Sequence, residues 1–408
     1  MTIYPALRKL GPIAAGIAIF VQAGLAAAGP ATPAAPVHPP MSGAAQHPPI
    51  APQPQEREGK VTVDPAAKFT HFRVGNKNVK AIYLEGSVVW VGTSGGVVRY
   101  DTKDDSFKLF DARNGLLSNG MFYVGRLKGM LAVGTYGGGL SLLDEKTGQW
   151  KNYNIPDGLG DAFVYDVITA TNGDIWIATW SGVNRIRGGN LDDRSKWDLY
   201  TVENTKGGVP NDWIYGLAEG KNGDIWLATE GGMARFANNK WENWNHAKGL
   251  GAPYAKVKDA IAFKNDPGKQ STHHAKQKQE MGLQNVDVAY NPNYVVSLEV
   301  DKQGTVWAGT WGGGLARFDG KRWTNYTTLE GLPGNHIFML HVDNTGKLWI
   351  GTNNGLTSYV PETGKFAKAM TTADGLFANN VFAMGSSAKG DLWVGSFGGV
   401  AHLRSGQK

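Results

Sequence analysis

The chain has 408 residues, with 56 Gly, 14 Trp, 19 Pro, no Cys, 19% charged residues and a formal charge of +6. That length exceeds the ~100–200 residues usual for one domain, so several domains or one large all-β or barrel domain are expected. Glycine at about twice its average of ~7%, without a Gly-X-Y period, excludes collagen and asks for many tight turns; the missing Cys excludes disulfides, iron–sulfur clusters, Cys-ligated zinc, covalent c-type haem, a lipoprotein anchor and a thiol nucleophile.

Residues 1–28 carry Arg8 and Lys9, an apolar run from Leu10 to Leu25 and then Ala26, Ala27 and Ala28. This is the pattern of a secretory signal peptide with small residues at the cleavage site, and it sets a periplasmic or extracellular location as the expectation. Left uncleaved, the same run has the length of a short membrane anchor, and it is the one membrane contact the sequence offers. Residues 29–67 form the next segment, and nine of the nineteen prolines fall between 29 and 59. Such a stretch cannot bury a core and is expected to be a semi-extended linker. Removing the leader takes away two basic residues and leaves +4, with no Lys/Arg run dense enough for a nucleic-acid face.

From about residue 68 to 408 the chain repeats itself. The copies run Trp90-Val-Gly-Thr-Ser-Gly-Gly96, Ala132-Val-Gly-Thr-Tyr-Gly-Gly138, Trp176-Ile-Ala-Thr-Trp-Ser-Gly182, Trp226-Leu-Ala-Thr-Glu-Gly-Gly232, Trp307-Ala-Gly-Thr-Trp-Gly-Gly313, Trp349-Ile-Gly-Thr-Asn-Asn-Gly355 and Trp393-Val-Gly-Ser-Phe-Gly-Gly399. The Thr or Ser recurs at spacings of 42, 44, 50, 81, 42 and 44. Short β runs between Gly-rich turns, in seven units of this size, predict an all-β fold: a seven-bladed β-propeller of four-stranded antiparallel blades. Blade four reads most plainly, with strands over 214–219, 225–229, 233–236 and 240–244 separated by an Asn-Gly hairpin at 222–223 and a Gly-Gly turn at 231–232. Outer strands show an aromatic pair three residues apart, as in Phe107 and Phe110, Trp150 and Tyr153, Trp241 and Trp244, and Trp323 and Tyr326. The last unit lacks this piece and an orphan copy, Phe69-Thr-His-Phe72, stands at the other end; it is expected to complete the seventh blade and close the ring.

The repeat core, followed by an Asp-Gly-Leu-x-x-Asn type of junction, resembles the two component regulator propeller repeats. Those form seven-bladed propellers in the periplasmic sensor regions of bacterial hybrid histidine kinases. The resemblance covers about residues 68–408 and implies a sensing role. Signalling members of that family continue into a further β-domain, a membrane span and a kinase, whereas the seventh unit here reaches Lys408. Output is therefore expected through a partner, without kinase activity.

In such blades the loop after the second strand and the junction to the next blade open on one face. The first set holds Ser94, Tyr136, Trp180, Glu230, Trp311, Asn353 and Phe397; the second adds Gly120, Phe163, Trp213, Tyr294, His336 and Asn380, preceded by Asn119, Asp212, Asn293, Asn335 and Asn379. Seven tips bearing four aromatics, with Trp213 nearby, suit a mouth for a carbohydrate, a flat small ligand or a protein partner, oriented by Glu230, Asn353 and His336. The same rings would also serve to cover the blade tops, and the junction Asn and Asp residues read as turn or cap residues. The spacing of 81 locates an insertion at about 252–291, rich in Lys and carrying His273 and His274, which reads as a lid or docking loop or as a disordered loop. Two adjacent His without a third ligand do not make a metal site, and no cofactor is expected. The Asn-Gly-Asp hairpins at 172–174 and 222–224 lack a full calcium ladder.

An enzyme alternative is a metal-dependent propeller lyase or lactonase resembling streptogramin B lyase. The groups available to it are Glu230, Asp212, His336 and Asp166, scattered over blades with no recurring spacing and no HExxH or GxSxG element. A non-catalytic binding module is the expectation.

Overall fold

The computed structural model describes residues 57–61, 69–261, 263, 266–269 and 271–405. The expected signal peptide at 1–28 and residues 29–56 of the stretch that follows it lie outside the described residues. Among the described residues no helix is long and apolar enough to cross a membrane.

The fold is all-β and built of antiparallel blades. Blades two to five each hold four strands: Met121–Leu127, Met130–Thr135, Leu140–Asp144 and Gln149–Tyr153 in blade two; Val164–Thr169, Ile175–Thr179, Gly182–Ile186 and Trp197–Tyr200 in blade three; Ile214–Glu219, Ile225–Thr229, Gly232–Ala237 and Lys240–Trp244 in blade four; Asn291–Val300, Val306–Trp311, Leu315–Phe318 and Trp323–Tyr326 in blade five. Blade six runs Ile337–Val342, Leu348–Thr352, Gly355–Val360 and a short Lys365–Phe366. Blades one and seven share the strand Phe69–Glu85. Its second half pairs with Val88–Thr93 of blade one, followed outward by Gly96–Asp101 and Ser106–Phe110. Its first half pairs with blade seven, Phe69 opposite Leu403 through Arg73 opposite Gly399 in Leu392–Leu403, which in turn pairs with Val381–Ser386. Each innermost strand contacts that of the next blade, including blade seven with blade one.

The segment 29–67, expected to be a linker, contributes structure at its far end. Glu58–Lys60 pairs with Ser106–Lys108 as a fifth strand on blade one, because the outer edge there offers unpaired backbone groups.

The repeat residues explain the blade. The Thr hydroxyl donates to a glycine carbonyl across the tight turn, 2.8 Å from Thr135 to Gly139 and 2.9 Å from Thr229 to Gly232. These glycines have φ of +77° and +126°, and a Cβ on either would lie 2.1 or 2.2 Å from the backbone oxygen of the outermost strand, so only Gly fits. The strand-two Trp lies buried between blades: Trp226 packs with Val306, Ala308 and Phe318 of blade five. Its indole Nε1 donates to Asp224, 2.8 Å, which also binds Arg235, 2.7 Å, while Arg235 lies over the Trp226 ring. Asp174 binds Arg185 and the Gly188 amide in blade three. The carboxylates of the two Asn-Gly-Asp hairpins are thus engaged within their own blades.

Candidate functional site

Both loop sets do open side by side. The amide after the repeat Thr donates to the junction residue in five blades: Ser94 to Asn78, Tyr136 to Gly120, Trp180 to Phe163, Glu230 to Trp213 and Asn353 to His336, at 2.8–3.3 Å. The junction side chains are caps: Asn119 accepts from Ala112 N, Asp212 from Val202 N, Asn293 from His246 N, Asn335 from Thr328 N and Asn379 from Thr372 N. Asn353 belongs to this turn framework, its side chain accepting from the His336 amide.

Rings run without a break across the tips of blades two to five. Tyr136 meets Phe163 at 4.6 Å between centroids, Phe163 meets Trp180 at 5.2 Å and Trp180 meets Trp213 at 4.3 Å. His274 continues the run between Trp213 and Tyr294, 5.6 Å from each, and Tyr294 stacks on Trp311 at 5.3 Å. Tyr136 and Phe397 are exposed at 37% and 39%, while Trp180 and Trp311 are buried and Trp213 is half-buried.

The insertion covers Trp213 through His274 and Trp311 through Phe263, while Trp180 lies between Phe163 and Trp213. The described residues of 252–291 fold over blades four to six with a small core of Ala252, Val257 and Tyr290 and a helix Thr272–Glu280. Lys278, buried, binds Asp266 at 2.6 Å and the Val286 carbonyl at 2.5 Å. From the helix His274 reaches the face, its Nδ1 2.5 Å from Glu230 Oε1, and Tyr215 donates to Glu230 Oε2 at 3.0 Å. Glu230 is 0% exposed, so it holds the insertion and does not face solvent. Phe263 lies 4.8 Å from the His336 ring and 5.7 Å from that of Trp311. His336 donates from Nε2 to the Ala289 carbonyl at 2.7 Å, and burial pushes its pKa down to about 4, so it is neutral at pH 7. The His273 side chain lies outside the described residues.

The groups named for an enzyme do not converge. Asp166 Oδ2 accepts from Leu217 N of the next blade at 2.8 Å, and burial raises its pKa to about 6. Asp212 caps a turn, and Glu230 and His336 hold the insertion. Among the described residues no three His, Asp or Glu side chains gather as a metal site. A groove of about 650 Å³ on the outer strands of blade three is lined by Arg185, Arg187 and Trp197, with the guanidiniums paired to Asp174 and Asp198.

One feature the repeat alignment hides lies just inside the mouth. Every innermost strand carries a bulge near its start, with register shifts between Val79 and Ala81, Met121 and Tyr123, Val164 and Asp166, Ile214 and Gly216, Val295 and Ser297, Ile337 and Met339, and Val381 and Ala383. The residue between each pair is taken out of strand alternation. Ring contacts then join neighbouring blades: Phe122 to Tyr165 at 4.5 Å, Tyr165 to Tyr215 at 5.0 Å and Phe338 to Phe382 at 5.3 Å. The signal was present, since this residue stands 13 or 14 positions before the repeat Thr or Ser in every copy.

Fold and face together define a β-propeller with a loop face roofed in part by its own insertion. Residues 208–231, 289–312 and 331–354 match the family described as two component regulator propeller. Each matched segment runs from a blade junction to the turn after strand two. Among solved structures, the chain is similar to the extracellular domain of a hybrid two component system from B. thetaiotaomicron, with 19% identity and a TM-score of 0.63 over 83% of this chain and 41% of that one. A one component system of B. thetaiotaomicron gives 18% and 0.58, over 83% and 40%. The chain thus spans about two fifths of the length of these extracellular domains. Streptogramin B lyase matches at 12% identity and a TM-score of 0.57, over 82% of this chain and 97% of the lyase. At such identities the likeness is one of fold. No curated protein sequence matches the chain.

Proposed function

We propose that this protein is a non-catalytic, exported propeller that binds a ligand or protein partner on its aromatic loop face and serves as a periplasmic sensing or assembly module. The observation that carries the reading is the unbroken run of rings from Tyr136 to Trp311, roofed over blades four to six by a folded insertion. Apolar faces with a few placed polar groups suit a sugar ring, a planar molecule or a peptide. The extracellular sensor domains of the same fold support the location and the role, as does the Arg8–Lys9 leader with its apolar run. The insertion acts as a lid, since it occupies with His274 the place a ligand group would take against Glu230.

Titration of the purified chain with a panel of soluble oligosaccharides and aromatic-rich peptides, followed by tryptophan fluorescence, tests this. At least one member is expected to bind, and Trp180→Ala is expected to weaken it tenfold or more, about 1.4 kcal/mol. Full affinity in a Trp180→Ala, Trp311→Ala double variant would remove the aromatic-face reading. Turnover of a lactone or glycan that is abolished by Glu230→Gln would replace it with the enzyme.

A further inference from the structure

The bulge is sevenfold but the chemistry it carries is not. Among the seven bulge side chains five are aromatic, one is Val296 and one is Lys80, which breaks the pattern with a charge. The Lys80 Nζ sits 5.0 Å over the Phe382 ring, and among the described residues it has no hydrogen-bond or ion-pair partner. Tyr165, 8% exposed, stands two blades away with Phe122 between, and its hydroxyl also lacks a partner among the described residues. So does the Nε1 of Trp311, whose ring is 5.8 Å from Phe338 of the same belt.

All three groups are donors, and no acceptor is supplied to any of them. An unmade buried hydrogen bond is costly, and an ammonium set over an apolar ring without an anion is costlier. The molecule that complements the belt therefore brings a negative charge, further acceptors and flat apolar faces. Rings stacked edge to face on a planar body supply the contact area, and the cation fixes its direction.

We propose that the bulge belt is a binding site for a flat apolar carboxylate, with the carboxylate on the Lys80 ammonium and the planar body against Phe382, Phe122 and Tyr165. The proposal rests on the binding reading above and names a ligand class for its inner end. Burial lowers the Lys80 pKa to about 8, which leaves it protonated at pH 7.

The probe pair is 2-naphthoate and its neutral counterpart 2-naphthamide, titrated calorimetrically into the full chain at pH 7. Saturable binding of the carboxylate is expected, with the amide at least tenfold weaker. Lys80→Met should cost the carboxylate tenfold or more and leave the amide unchanged, while Lys80→Arg keeps most of the affinity. Tyr165→Phe should cost a few-fold. The thermal transition of each variant reports folding, and Lys80→Met removes a desolvated charge and is not expected to lower it. Absence of saturable naphthoate binding at roughly millimolar concentration, or equal affinity in Lys80→Met, overturns the proposal. If a peptide or sugar still responds to Trp180→Ala in that case, the outer face stands and the anion site alone falls.

Discussion

Glu230 illustrates how a loop-tip residue acquires a role that its neighbours in the repeat do not share. The position after the repeat Thr varies freely because packing does not dictate it, and in blade four it has become the anchor of the insertion through His274. His274→Ala takes away the insertion's hold on Glu230 and leaves that carboxylate with Tyr215. In His274→Ala, amide exchange over 271–290 is expected to speed at least tenfold while blade one is unchanged; equal protection in the variant would sink the anchoring role. Glu299 offers a second single-residue prediction. It bridges blades five and six by accepting from Val342 N, and burial raises its pKa from near 4.5 to about 8, with the Asp166 charge adding to the shift. The folded state prefers the neutral acid, so its contribution is complete below pH ~4.5 and is lost as the pH rises through 8. Glu299→Gln should flatten the fall in melting temperature between pH 5 and 8.5 and raise it at pH 8.5 by ~2 °C, read by calorimetry. At this scale the sequence told where Trp180, Trp213 and Glu230 sit, because Thr and Gly mark the turns. It did not tell that Glu230, Trp311 and His336 are covered, since that depends on what a neighbouring segment places over them.

The blade is the element whose character was most open to reading. In blade four three of the four strands expected from hairpin and turn residues agree with those observed, and the third differs by a residue at each end, Gly232–Ala237 against 233–236. Local chemistry decides such strands: Asn-Gly and Gly-Gly turns set the register, and the Trp faces the next blade. The insertion is the opposite case. Its helix, Thr272–Glu280, is polar along its length, and the contacts that hold it are single residues, Lys278 to Asp266 and Phe263 against His336. No period announces such contacts. The bulges were hidden for a related reason, because an alternating strand assigns the extra residue to the wrong face.

For the whole molecule, the seam between blades seven and one governs integrity. Phe72 lies in it, 4.6 Å from Tyr100 and 5.2 Å from Trp393, and Trp393 stacks on His402 at 3.9 Å. Phe72→Ala should cost about 3–5 kcal/mol and lower the denaturant midpoint with an unchanged slope. A split transition, with blade seven melting apart from the rest, would show instead that the seam is dispensable.

The shared strand Phe69–Glu85 also sets an order of events. Its first residues leave the ribosome early, yet their partners at 399–403 follow some 330 residues later. Until those arrive, the nascent chain can stack blades but cannot satisfy the strand that begins the ring. Such non-local pairing is slow and leaves an edge open for its duration. The protein is therefore committed to a long unfinished interval during synthesis, in which it would be a client for chaperones and a substrate for any machinery that requires an unfolded chain.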